Sequence, residues 1–191
     1  MDMLVLEPEF LDADGDRAGN GDLGAFCRRA AEIIDAAPEA EVPSRISVVL
    51  RPLLATPGLL APEHREVPTE GYVRHDLFIC PDGAFSVLAV VWPAGIISPI
   101  HDHKTWCAFG VYEGAIRETR HVRARSAAGD AATVISSNDL ASGDVAHLPV
   151  DAPDIHCMHN PTSDPAISIH VYGGDAGKLG PNVKRIYTSE T

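Results

Sequence analysis

The sequence predicts an all-β fold, a sandwich or barrel of antiparallel strands behind a short helical N-terminal region. Three observations carry this. From Tyr72 onward, β-branched and aromatic segments alternate with turn signals such as Pro81-Asp82-Gly83, Pro93-Ala94-Gly95 and Glu113-Gly114. No helical period separates those segments, so the strand–helix alternation of a parallel sheet is excluded. Apolar residues at helical spacing are confined to the first third of the chain.

Residues 12 to 22 are polar and glycine-rich and read as a flexible lead-in; they lack the Glu that would close a calcium loop. Asp22 is a candidate N-cap for a helix carrying Leu23, Phe26, Ala30, Ile33, Ile34 and Ala37 and stopped by Pro38. Ser44 could cap a second, shorter helix with Ile46, Val49 and Leu50, which Pro52 ends or kinks. Pro57, Gly58 and Pro62 then mark a loop. The expected strands are Val73 to Cys80, Ala84 to Trp92, Trp106 to Tyr112, Ala115 to Val122, Thr133 to Ser136, Val145 to Leu148, Ile155 to Asn160 and Ala166 to Tyr172. With no internal repeat or low-complexity tract, residues 1–191 read as one domain, a helical and loop cover over 1–70 and a β-barrel over 71–191.

The chain has 191 residues, 45% of them apolar, enough to bury a core without disulfides or a structural metal. Its 27 acidic against 15 basic residues give a net charge of -12, with no basic cluster to grip phosphate backbones or anionic lipid. Neither nucleic acid nor membrane is an expected partner. The apolar run around Val87 to Trp92 is far shorter than the roughly 20 residues of a membrane span. The first residues, Met1-Asp2-Met3-Leu4-Val5-Leu6-Glu7-Pro8, lack the basic leader of a secretory signal, so the expected location is the cytoplasm. Cys27, Cys80, Cys107 and Cys157 form no Cys-x-x-Cys pair and read as reduced thiols.

Five of the nine histidines fall in clusters. In Ile100-His101-Asp102-His103 a strand period of two puts both imidazoles on one face, where they could share a metal, with Asp102 pointing away. Ile155-His156-Cys157-Met158-His159-Asn160 forms a second cluster. In Ser168-Ile169-His170-Val171-Tyr172 the three polar residues share one face of an otherwise apolar strand.

The first of these segments extends into a longer pattern: Gly95, His101, His103 and Gly114 fit Gly-x5-His-x-His-x3-(Glu)-x6-Gly at every spacing. That pattern is the first motif of the cupin superfamily of small double-stranded β-helix, or jelly-roll, barrels, which the chain resembles. The second cupin motif is similar to Gly143, Pro149, His156 and Asn160, with two extra residues before the histidine and Asp151 in place of a glycine. It implies His156 as the third metal ligand, with His159 in reserve. Cys107 stands where most cupins carry a metal-binding Glu, and this replacement resembles the thiol dioxygenases of the cysteine dioxygenase family. Tyr72-Val73-Arg74 is similar to that family's Tyr-x-Arg, and Ser168, His170 and Tyr172 to its Ser-x-His-x-Tyr.

The resemblance covers roughly Gly71 to Gly174. It implies iron(II), Fe(2+), held by His101, His103 and His156, and oxidation of a small thiol by O2 to a sulfinic acid. Three neutral imidazoles leave the ion its full charge, which favours an anionic thiolate. Arg74 would take the substrate carboxylate through a planar two-pronged contact. The resemblance makes Tyr172, oriented by His170 and Ser168, a hydrogen-bond donor to substrate or oxygen, and makes Cys107 to Tyr172 a candidate thioether crosslink. L-cysteine is the favoured substrate; 3-mercaptopropionate and mercaptosuccinate are alternatives, and Arg185 is a candidate second arginine for them. The rival readings are a cupin enzyme acting on a diketone or sugar, which would keep the Glu that Cys107 replaces, and a non-catalytic cupin that senses a small acid or metal. His64, His75, His121 and His147 carry no assigned role, and Trp106 and Phe109 either wall the pocket or fill the barrel.

Overall fold

The computed structural model describes residues 18–124, 130–148 and 154–189. Among the described residues, two α-helices come first. α1 spans Ala18–Ala36 and, after a 3-10 turn at Glu39–Glu41, α2 spans Val42–Leu54. α1 thus starts a turn before Asp22, which lies inside the helix and is no cap. Its packed portion from Phe26 onward outweighs the poor helix propensity of Gly19, Gly21 and Gly24. Nor is Ser44 a cap: α2 begins at Val42 with Pro43 in its first turn, and the Ser44 hydroxyl donates back to the Glu41 carbonyl. Pro52 is tolerated in the last turn, and the helix ends two residues later at Leu54.

Among the described residues ten strands follow: β1 Val73–Ile79, β2 Phe85–Trp92, β3 Ile100–His103, β4 Cys107–Glu113, β5 Ala115–Arg123, β6 Ala131–Ala141, β7 Val145–Leu148, β8 His156–His159, β9 Ala166–Gly173 and β10 Val183–Ser189, the last preceded by a one-turn helix α3 at Ala176–Leu179. They form two sheets. One runs β1-β2-β9-β4-β7, and the other closes on itself in the order β10-β3-β8-β5-β6. All pairings are antiparallel except β10 with β6. This is the double-stranded β-helix barrel with a helical N-terminal region expected from the sequence.

Strand β2 is buried on both faces, which is why its sequence is one apolar run without alternation. Val87, Ala89 and Val91 face α1 and α2, where Phe26, Ala30, Ile33, Ile46, Leu50 and Leu53 complete one core. Leu88, Val90 and Trp92 face the barrel interior with Phe109, Ile116, Leu148, Met158 and Tyr172. Strand β9 divides the same way, so Ser168, His170 and Tyr172 point inward while Ile167, Ile169 and Val171 pack under the helices. At roughly 1.5–3 kcal/mol per fully buried large aliphatic side chain, each core contributes substantially. The helices approach so closely at Gly110 that an added Cβ would lie 2.4 Å from Leu54 Cδ1 and 2.9 Å from the Asp144 carbonyl oxygen. The motif glycines Gly95, Gly114 and Gly143 all turn the chain with φ between 72° and 90°, a region closed to most side chains.

Two strands depart from the sequence reading, and β3, read there only through its strand period, proves a full strand. β6 runs eleven residues and includes the polar stretch Ser136 to Asp139, held by pairing along nearly all of β5. β3 is a real strand of four residues, paired to β8 and β10. β10 has a mostly exposed pattern with no alternation to mark it, yet it closes the second sheet. Pro149 and Asp151 of the second motif, and residues 12–17 of the expected lead-in, lie outside the described residues.

Candidate metal centre

His101 and His103 leave β3 on the same face, and His156 of β8 sits directly across from His101 in the register. The strand period of β8 turns His156 and Met158 inward and Cys157 and His159 outward, so His159 does not join the group. The three rings form a near-equilateral triangle, with centroids 4.8, 4.9 and 5.0 Å apart. One nitrogen from each lies within 4.8 Å of the others.

Every Nδ1 in this triangle already has an acceptor. His101 Nδ1 is 2.8 Å from the Pro99 carbonyl oxygen. His103 Nδ1 is 3.1 Å from Asp154 Oδ2, and the same oxygen accepts the His103 backbone N–H at 2.8 Å. His156 Nδ1 is 3.1 Å from Glu118 Oε1. A neutral ring that donates from Nδ1 must present a bare lone pair at Nε2, so three Nε2 lone pairs are free to converge. Burial holds the His156 imidazole well below its usual pKa, with the charges of His103 and His101 adding to it. His101 falls to about 4, again chiefly through burial and then through His103. His101 and His156 therefore need no proton removed at neutral pH, which fits a divalent ion that takes imidazole nitrogens.

Two outer carboxylates were missed in the sequence. Glu118 is 1% exposed, and its second oxygen accepts from Arg120 Nε at 3.0 Å; Arg120 in turn donates to the His147 carbonyl oxygen. Burial raises the Glu118 pKa, and Arg120 opposes the rise. Burial also pushes Asp154 upward, but its hydrogen bonds from His103 outweigh this and hold it below the usual value. Glu118 could have been found as an acid in the inward phase of β5, two residues after buried Ile116. Asp154 carries no comparable signal.

The triangle opens into a tight cavity of about 30 Å³, lined by Tyr72, Arg74, Trp92, His101, His156 and Tyr172 among others. Such a volume is well below the roughly 300 Å³ of ordinary ligand sites. Arg74 pairs with Val90 across β1 and β2, and Val90 pairs with Ser168 across β2 and β9. Arg185 is elsewhere: its hydrogen bond to Tyr187 raises its pKa, and Tyr187 donates to Asp102 on the face of β3 turned from the histidines. Trp106 packs beneath the helices and Phe109 fills the interior, stacked on His170 at 5.3 Å.

Ser168 Oγ is 2.9 Å from His170 Nε2, and His170 Nδ1 is 3.2 Å from Tyr172 Oη. Burial, with the charges of His156, His103, His101 and Arg74, keeps His170 neutral. Burial and Cys107 raise the Tyr172 phenol above its usual value, and burial with the nearby acids does the same for the Cys107 thiol. Cys107 and Tyr172 are directly opposed across β4 and β9.

A double-stranded β-helix barrel thus opens on three inward histidines that could hold a metal ion. Among solved structures it is similar to a protein from Thermus thermophilus, with 17% identity and a TM-score of 0.46 over 59% of this chain and 91% of that one. It is also similar to the cupin domain of an XRE-family transcriptional regulator from Enterobacter cloacae, with 14% identity and a TM-score of 0.40 over 55% and 97%. A cupin barrel protein from Salinispora arenicola shows 19% identity and a TM-score of 0.41 over 60% and 85%. The family model for cysteine dioxygenase type I matches residues 66–176, and the chain belongs to that family. It is therefore a dioxygenase-family enzyme with three histidines able to hold a metal. Among the described residues, no helix is long and apolar enough to cross a membrane.

Proposed function

We propose that the protein is an iron(II)-dependent thiol dioxygenase that adds both atoms of O2 to the sulfur of a small carboxylate-bearing thiol, with L-cysteine as the favoured substrate. The observation that carries this reading is the shared cavity: Arg74 and Tyr172 line the same small space as His101 and His156. Iron bound by His101, His103 and His156 would supply a site for the thiolate and for O2 activation. With no carboxylate among these ligands, a substrate thiolate meets less negative charge than in a two-histidine, one-carboxylate site.

Arg74 orients the substrate by its carboxylate, so that sulfur is the end presented to the histidines. Among the described residues lining the cavity, Arg74 is the one arginine or lysine, and Arg185 is engaged with Tyr187. That favours one carboxylate over two, and so cysteine or 3-mercaptopropionate over mercaptosuccinate. Tyr172 stays protonated and donates a hydrogen bond, while Trp92 and Met158 keep bulk water from the reacting end. Cys107 opposite Tyr172 is a candidate for a thioether, formed with loss of two hydrogens to O2 as oxidant; intact mass after reduction would be lighter by those two hydrogens. In this reading the chain is one domain, with the described residues from 18 to about 70 covering the sheet of β2 and β9, and it works in the cytoplasm.

O2 uptake by anaerobically iron-loaded protein, with L-cysteine, 3-mercaptopropionate, mercaptosuccinate and cysteamine tested separately, decides the matter. Uptake with one thiol and a matching sulfinate by mass spectrometry is the expected result. Bound iron without uptake for any thiol would overturn the proposal.

A further inference from the structure

The Ser168, His170 and Tyr172 series does not end at Ser168. Trp92 Nε1 lies 2.8 Å from Ser168 Oγ, and both groups are buried. An indole N–H can only donate, which gives this end of the series a fixed direction. We propose that Trp92 is a positioning residue that sets the polarity of the whole series, so that His170 carries its proton on Nδ1 and the Tyr172 hydroxyl proton is released toward the cavity. The reaction it serves is the thiol oxidation proposed above; the hydrogen-bond direction itself stands independently of that reaction.

Ser168 is 0% exposed, and its hydroxyl has two polar partners, Trp92 Nε1 and His170 Nε2. Trp92 occupies one lone pair of the hydroxyl oxygen. Were His170 also to donate from Nε2, the Ser168 proton would be buried without an acceptor. The satisfied arrangement has Ser168 donating to Nε2. His170 is neutral, so its single proton lies on Nδ1 and is donated to Tyr172 Oη. With that lone pair filled, the phenol's own proton points to the Cys107 sulfur across the strand pair or to a ligand in the cavity, where an anionic acceptor wins.

The indole is itself held in place. Tyr72 stacks on it with ring centroids 4.7 Å apart and planes 28° from parallel. Phe109 stacks on the imidazole at 14°, which leaves His170 free to exchange tautomers but not to turn its ring. The far end of the series, on β2, is therefore fixed by packing, and the near end on β9 takes its direction from it.

The test reads the tautomer directly. Nitrogen-15 spectra of the histidine-labelled full chain, loaded with Zn(II) as a diamagnetic occupant, are recorded with the His170 signals assigned by their loss in His170→Gln. The expected result is a protonated Nδ1 and a bare Nε2; a protonated Nε2 in the unaltered protein overturns the inference. In Trp92→Phe the Nε2-protonated form should become populated. Turnover of the best thiol by the iron-loaded variant should fall at least about tenfold while KM changes less than about twofold. A pure Nδ1 tautomer in Trp92→Phe, or a shifted tautomer with full turnover, overturns the assigned role. If Trp92→Phe fails to fold, the tautomer of the unaltered chain still decides the proposed polarity. A protein that oxidises no thiol but shows the expected tautomers would refute the proposed function and leave the polarity intact.

Discussion

Replacing Glu118 by Gln keeps the shape of the side chain but should weaken metal binding by about ten- to a hundredfold. The carboxylate accepts on both sides, from His156 Nδ1 at 3.1 Å and Arg120 Nε at 3.0 Å, with Glu118 and His156 each 1% exposed. An amide has one accepting oxygen, so Gln can serve His156 or Arg120 but must turn its NH2 toward a donor on the other side. A hydrogen bond to a charged group is worth about 1.5–3 kcal/mol, and its loss frees the His156 ring to turn or to exchange its proton to Nε2, where it would block the ligand lone pair. Converted at about 1.4 kcal/mol per tenfold, this gives the stated range. Arg120 is 32% exposed at its side chain and can turn toward water, which limits the added folding cost. The assay is a competition titration of Co(II) or Fe(II) against a chelator of known affinity, run beside His101→Ala as the variant that loses a ligand outright. A Glu118→Gln affinity within twofold of the unaltered protein would refute the argument that this carboxylate holds His156 for the metal.

Other outcomes follow from the same geometry. Arg74→Ala should raise KM for the best mercapto-acid by about ten- to a hundredfold and leave a carboxylate-free thiol such as cysteamine unaffected; equal effects on both would remove the carboxylate contact. Metal-free protein should lose stability on acidification. The His101 pKa is near 4 when folded against about 6.5 when unfolded, so the unfolded chain takes up the proton first and stability falls as pH drops through that window. The His101 share is about 2 kcal/mol between pH 7 and pH 5, and His156 acts in the same direction. Thermal melts should show Tm falling by several degrees over that range, and a level or rising Tm would contradict the burial of these rings as neutral groups. Gly110→Ala should destabilise by about 1–3 kcal/mol, because its Cβ would press on Leu54 and on the backbone at Asp144; an unchanged melting curve would show that α2 can withdraw without cost.

Local chemistry carried much of the result. Turn dipeptides and β-branched segments outlined most of the strands to within a few residues, because Gly95, Gly114 and Gly143 occupy backbone conformations few other residues tolerate. The period of two in β3 and β9 placed His101 with His103, and Ser168 with His170 and Tyr172, before any tertiary contact was considered. What depended on distant partners was not legible in the same way. The polar part of β6 beyond Ser136 and the unpatterned β10 are strands because β5 and β3 offer them free backbone groups, and nothing within those residues demands it.

At the site, the sequence by itself determined the kinds of donor and the face on which each pair stands, since covalent spacing and strand pleat fix both. Only the closed barrel decided that β8 lies against β3, which turns His156 rather than His159 toward the pair. It also decided that Glu118 from β5 and Asp154 stand behind the rings, that Trp92 meets Ser168 from a neighbouring strand, and that Arg185 faces away. These contacts join residues far apart along the chain. Their partners are chosen by which strands pair and how the barrel closes, and that choice belongs to the packing of the whole chain.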